Sequence, residues 1–253
     1  ALSTGIIDAI DSDVFSVEGF KFYEQAKHLT LTGHWFLPKA VRVNAAWLDS
    51  LPDDLSTEFG GDISGVGGSL VKVGTGTLTL SGSASSLTGR SSIEEGTLAV
   101  TGELGGALNV RAAGRLQGTG TVGSTTVAAG GMVAPGNSVG TLHIAGDYTQ
   151  QAGSVYQVEI GPDGRSDLID ITGEARIEGG TVFALKAPGE YDLGTRYTIL
   201  SATGGVTGTF DVLDQNAPFI DLLLAYDPGN VYLGVARNDV SFCDVAATAN
   251  QCT

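Results

Sequence analysis

The chain has 253 residues, 38 of them glycine, with 42% hydrophobic and 16% charged residues, enough apolar material for a long core and too much for a disordered chain. The glycines fall between short alternating segments such as Thr77-Leu78-Thr79-Leu80, never in a Gly-X-Y period, which excludes collagen and points to many tight turns. Thirteen Lys and Arg against 28 Asp and Glu give a formal net charge of -15, which excludes nucleic acid and anionic lipid surfaces as favoured partners.

Ala1 opens into Leu-Ser-Thr-Gly without a basic n-region or apolar h-region, so any signal peptide is expected to be removed or to lie upstream. Leu29-Thr-Leu-Thr-Gly33 alternates at period two. Trp35 and Trp47, beside Phe36, Leu37 and Leu48, fit a core or an end plug better than a ligand platform.

Four units then recur: Gly76-Thr-Leu-Thr-Leu-Ser-Gly82, Gly96-Thr-Leu-Ala-Val-Thr-Gly102, Gly106-Ala-Leu-Asn-Val110 and Gly140-Thr-Leu-His-Ile-Ala-Gly146. Each is Gly, a small or polar residue, then apolar-x-apolar. Leu78 and Leu98 lie twenty residues apart and Leu98 and Leu108 ten apart, the spacing of a solenoid coil with two or three short strands. A β-sandwich shares the short strands but has no reason to repeat one of them. Helix-period patterning is nearly absent, and the expected fold is all-β.

Gly118-x-Gly120-x-x-Gly123 matches a dinucleotide fingerprint in its letters only, because Ser124-Thr-Thr-Val that follows reads as a strand where a nucleotide site needs a helix. From about Gly140 repetition fades and rings accumulate: Tyr148, Tyr156, Phe183, Tyr191, Tyr197, Phe210, Phe219, Tyr226 and Tyr232. A solenoid end exposes strand edges and core, so residues 140–238 are expected to form a terminal cap with Tyr197, Phe210, Tyr226 and Tyr232 in its core. The longest apolar run, Phe219 to Tyr226, is interrupted by Asp221 and falls short of the ~18 residues of a membrane helix.

Sites for chemistry are sparse. His28, His34 and His143 have no metal-ligand spacing, and His143, between Leu142 and Ile144, is expected to face solvent. No Gly-x-Ser-x-Gly elbow accompanies them. Asp163-Gly-Arg-Ser-Asp167 with Asp170 fails both common calcium-loop patterns and reads as turn chemistry. The expectation is therefore no catalytic residue, no metal and no cofactor.

These segments resemble a known family. Gly67-Gly-Ser-Leu-Val-Lys-Val-Gly-Thr-Gly-Thr-Leu-Thr-Leu-Ser-Gly82 with Thr88-Gly-Arg-Ser-Ser-Ile-Glu-Glu-Gly-Thr-Leu98 is similar to the passenger-associated repeat of bacterial autotransporters. Val133-Ala-Pro-Gly-Asn-Ser-Val-Gly-Thr-Leu142, Ser166-Asp-Leu-Ile-Asp-Ile-Thr-Gly173 and Tyr226-Asp-Pro-Gly-Asn-Val-Tyr-Leu233 continue the likeness. The resemblance implies a right-handed parallel β-helix of pertactin-like kind at the surface of a Gram-negative cell. It implies degenerate turns over 1–65, regular repeats over 66–139, an autochaperone cap over 140–238 and, over 239–253, the start of a linker to a translocator β-barrel. That barrel is the implied partner, with host or bacterial surface molecules beyond it, and the fragment is expected to be monomeric.

Three functions follow from the resemblance: a non-catalytic adhesin-like stalk, the stem of an autotransporter enzyme whose catalytic domain lies upstream, or a passenger that self-associates between cells. In the extracellular setting so implied, Cys243 and Cys252 are expected to pair. The alternative is that Ala246-Ala-Thr-Ala-Asn-Gln251 begins the linker helix, which would hold the two cysteine Cα atoms about 13 Å apart, beyond the ~4.4–6.8 Å of a disulfide.

Overall fold

The computed structural model describes residues 56–216 and 220–237, so His28, His34, Trp35, Trp47, Phe219, Cys243 and Cys252 lie outside the described residues. In chain order its strands are β1 Ser56–Phe59, β2 Val71–Lys72, β3 Thr77–Leu80, β4 Ser83–Ala84, β5 Arg90–Ile93, β6 Gly96–Val100, β7 Glu103–Leu104, β8 Ala107–Val110, β9 Gly114–Gly118, β10 Thr121–Val127 and β11 Met132–Pro135. They continue as β12 Thr141–Gln150, β13 Val155–Ile160, β14 Leu168–Ile171, β15 Ala175–Ile177, β16 Thr181–Lys186, β17 Arg196–Ala202, β18 Val206–Gly208, β19 Val212–Gln215, β20 Ile220–Tyr226 and β21 Asn230–Arg237. No helix occurs among the described residues.

The strands fall into two long sheets that the chain visits alternately. One runs β1-β3-β6-β9-β11-β13-β16-β19, and the other follows β2-β5-β8-β10-β12-β14-β17-β21-β20, with β4, β7, β15 and β18 at its margins. Every strand ladder between successive coils up to β16–β19 and β14–β17 is parallel. Strands that alternate between two sheets while each stacks in parallel on the coil before it make a parallel β-helix.

Alternation within each short strand explains the packing. Thr57, Leu78, Leu98, Leu116, Val133, Tyr156, Val182 and Leu213 lie in one column of the first sheet. From Leu98 through Val182 each of these residues is 0% exposed. Leu108, at 1%, faces the same core from the second sheet ten residues after Leu98, as the repeat spacing predicts. The coils shorten from the 21 residues between Thr57 and Leu78 to the 17 between Leu116 and Val133, and then lengthen to the 31 between Val182 and Leu213. The surplus leaves the stack as exposed loops at 162–165 and 187–190, between β13 and β14 and between β16 and β17.

Lys72 shows how the repeat anchors its first described coils. The residue is 3% exposed, and its ammonium donates to the carbonyl oxygens of Val73, Gly74 and, one coil on, Glu95 at 3.0, 2.6 and 3.0 Å. Charge-assisted bonds to backbone of two coils hold their turns in register.

The fingerprint-like glycines are explained by close approach of coils. Gly118, with φ at 116°, ends β9, and a Cβ there would sit 2.0 Å from the Val100 carbonyl oxygen. At Gly123 a Cβ would meet the Gly106 carbonyl oxygen at 1.7 Å, where β10 shifts register before Thr125. Gly123→Ala is expected to push the two coils apart and cost about 1–3 kcal/mol by urea unfolding, the usual range for overpacking. A variant as stable as the wild type would show that this contact is slack.

The parallel stack ends at β17, on which β21 lies antiparallel, and β20 pairs antiparallel with β21. The hairpin reverses strand direction at the end of the second sheet. A further parallel coil has no matching ladder there.

Candidate functional site

The closing end of the solenoid concentrates the unusual side chains. Tyr148 and Tyr156 are fully buried, Tyr197 is 2% and Phe210 7% exposed. Each phenol has a partner, as buried hydroxyls require. Tyr148 donates to Gln150 Oε1, Gln150 Nε2 donates to Ser154 Oγ at 2.6 Å, and Ser154 Oγ donates to the Gln151 carbonyl, so a polar chain runs through the apolar interior. Tyr156 donates to the Ile199 carbonyl and Tyr197 to that of Gly161 at 2.8 Å, while the Tyr156 and Phe210 rings lie 6.2 Å apart. Burial pushes the Tyr148 and Tyr156 phenols well above their ordinary range, so both act as hydrogen-bond donors.

The four aromatic residues expected in the cap core take different places. Tyr197 and Phe210 are inside. Tyr226 is partly buried against the core, its hydroxyl accepting from the Phe210 N–H at 3.2 Å. Tyr232 stands on the outer face instead: β21 turns Val231, Leu233 and Val235 inward, and alternation leaves Tyr232 outside. There its hydroxyl donates to Asp227 Oδ2 at 2.6 Å and the Arg196 guanidinium lies 3.6 Å over its ring. The Tyr232 hydroxyl and the Gly229 N–H hold the Asp227 carboxyl down at about 2.

The acidic run at 163–170 is split three ways. Asp163 closes an exposed turn by accepting the Arg165 N–H at 3.2 Å. Asp170, on the outer face, meets His143 Nδ1 at 3.0 Å. Asp167, 1% exposed, accepts the N–H groups of Gly140 and Glu159, each at 2.8 Å, and so ties the start of β12, β13 and the loop after it. Desolvation outweighs these two bonds and raises its carboxyl to about 7.

His143 faces outward, as its place between Leu142 and Ile144 predicts. Its carboxylate partner lies 27 residues away, one coil up the stack, and only the register reveals it. The pair is a base with an orienting acid, and Thr121 is the in-register neighbour one coil below. Both side chains are about half exposed, 49% and 47%, on an open sheet face. Solvent screening there leaves little of the enclosure that general-base catalysis uses.

An uninterrupted parallel stack closed by an antiparallel hairpin defines a β-helical stem. Residues 70–100 match the passenger-associated-transport-repeat model. An extracellular serine protease of Serratia marcescens is 40% identical over 199 residues, 75% of this chain and 19% of that protein. An autotransporter adhesin, BmaC, of Brucella suis is 36% identical over 146 residues, 58% of this chain and 4% of the adhesin. The chain thus belongs to the autotransporter passengers, whose place is outside the cell or at its surface. It spans about a fifth of the length of the Serratia protease.

The amino-terminal quarter has a different likeness. Residues 1–61 match a bacterial extracellular solute-binding protein model, family 7. A solute-binding protein of a Sulfitobacter species is 36% identical over 55 residues, 22% of this chain and 17% of that protein. Reading 1–65 as degenerate β-helix turns therefore meets a competing family there. The structure marks where the stack is under way: Ser56–Phe59, inside that match, already pairs with Thr77–Leu80 as a coil of the β-helix. A compositional signal was available, since residues 1–55 hold only Gly5, Gly19 and Gly33 and both tryptophans.

Proposed function

We propose that residues 56–237 are a non-catalytic stem of an autotransporter passenger, and that the segment from 140 to 238 acts as its autochaperone, promoting folding and export. The carrying observation is the continuous parallel stack closed by β17, β20 and β21. Repeat stacks take their stability from neighbour interfaces and end caps, so the unit with the largest aromatic core and a direction-reversing hairpin is suited to fold first and template the coils before it. The partner in this reading is a translocator β-barrel downstream. A direct test fuses the chain to such a barrel in a Gram-negative host and measures surface delivery by accessibility to added protease. Deleting 140–238 should abolish delivery of folded stem, and undiminished delivery would overturn the autochaperone role.

The stem of an enzyme remains the second reading, favoured by the protease relative and its greater coverage. Here the solenoid holds an upstream catalytic domain away from the membrane. The solute-binding likeness of 1–61 supports a related proposal, that residues 1–55 form a unit distinct from the solenoid and carried by it. Limited proteolysis followed by mass spectrometry should then release a core beginning near Ser56.

The extracellular setting also carries the proposed Cys243–Cys252 disulfide. Mass spectrometry of unreduced protein should show the loss of two hydrogens, and two free thiols on oxidised material would exclude the bridge.

A further inference from the structure

Among the described residues, the outer edge of β20 lies at the end of the second sheet, and β20 pairs with β21 alone. Its sequence, Ile-Asp-Leu-Leu-Leu-Ala-Tyr, carries one charge, and Leu223 is 58% exposed. An apolar edge strand of this kind is a template for another strand. Gln215, the last residue of β19, lies against it: its Oε1 accepts the Leu222 N–H at 2.9 Å and its Nε2 donates to the Ile220 carbonyl at 3.4 Å. These are the backbone donor and acceptor that an added strand would use, and a side-chain amide reproduces the pair because it has one donor group and one acceptor.

We infer that Gln215 is an edge guard, whose amide stands in for a strand and closes β20 against antiparallel pairing with a second copy of this chain. The hydrogen bonds to Gln215 show that even-numbered residues of β20 turn their backbone groups outward, while Asp221, Leu223 and Ala225 bond toward Ala236, Gly234 and Tyr232 of β21. A two-fold axis at Leu223 would set Leu222 against Leu224, Ile220 against Tyr226 and Asp221 against Ala225. No like charges would face one another. For a chain with net charge -15, this edge is a place where two copies can meet without direct charge opposition. The occupant is therefore a second copy, and the guard keeps the wild type single.

The test is the weight-average mass of the purified full chain by sedimentation as concentration rises, at physiological salt. Wild type should stay monomeric, Gln215→Ala should climb toward a doubled mass, and Gln215→Ala with Leu223→Lys should return to monomer, since the two-fold would bring the two lysines together. A monomeric Gln215→Ala with wild-type circular dichroism overturns the inference, as does association that survives Leu223→Lys. Should Gln215→Ala fail to fold, amide hydrogen exchange of the wild type decides: slow exchange at Leu222 supports the guard, and exchange at the rate of an open edge refutes it.

Discussion

Replacing Tyr156 by alanine is expected to cost about 3–5 kcal/mol, the range for deleting a buried aromatic ring and leaving its cavity. Its side chain is fully buried in the inward column between Val133 and Val182, where both neighbouring coils are fixed by ladders and cannot collapse into the void. The ring also faces Phe210 at 6.2 Å, and the hydroxyl serves the Ile199 carbonyl in the opposite sheet. Tyr156→Phe isolates that last part and should cost about 1 kcal/mol, the net worth of an ordinary hydrogen bond. Tyr232→Ala, on the outer face, should cost clearly less than Tyr156→Ala, because its contacts with Asp227 and the Arg196 guanidinium are made on the solvent side of the sheet and their loss leaves no cavity in the core. Urea unfolding of the three variants orders them. A Tyr232 effect as large as that of Tyr156 would contradict the inside and outside assignment of the cap.

That contrast shows what could be read from the chain alone. The apolar-x-apolar units place Leu78, Leu98 and Leu108 inward without any structure, since strand alternation is a local property. The same alternation places His143 outside. Which rings of the cap face the core is a different matter. It depends on the phase of β21 against β17 and on the bulge between Thr198 and Leu200, both set by pairing across more than thirty residues. Tyr232 follows Val231 in a run where every residue is apolar enough to be core, so local pattern leaves its direction undetermined. The His143–Asp170 and Gln215–Leu222 contacts also depend on the coil register or on how β20 folds back against β19.

The amino-terminal quarter illustrates a further limit. Short alternating segments such as Leu29-Thr-Leu-Thr-Gly33 occur in many folds, and alternation by itself does not distinguish a solenoid coil from another protein's strand. Gly density does better, because each coil turn packs backbone on backbone. In the described solenoid a Cβ at Gly82, Gly102, Gly118 or Gly123 would meet a carbonyl oxygen at 2.2 Å or less. Residues 1–55 hold three glycines, Gly5, Gly19 and Gly33, against 35 over the remaining 198 residues.

The second large effect should appear in the pH dependence of stability, through Asp167. Its carboxyl rises from the ordinary value of 3.8 to about 7 in the folded protein, first because burial strips its solvent and despite the N–H groups of Glu159 and Gly140 that favour its charge. The folded state therefore holds this proton more tightly than the unfolded chain does. The stability it contributes is complete below about pH 4, is lost as pH rises toward 7 and changes no further above that. Each pH unit inside the window is worth at most about 1.4 kcal/mol, so the total is a few kcal/mol. Other carboxylates titrate below it, so the informative quantity is the difference between wild type and Asp167→Asn. The variant keeps one acceptor, cannot ionise, and turns its amide N–H groups toward one of the two backbone donors, which costs about 1–3 kcal/mol. Wild type should exceed the variant most clearly near pH 4.5, and the gap should close or reverse by pH 7.5. A gap that holds constant over that range would mean that Asp167 is ionised throughout, with the two N–H donors outweighing its burial.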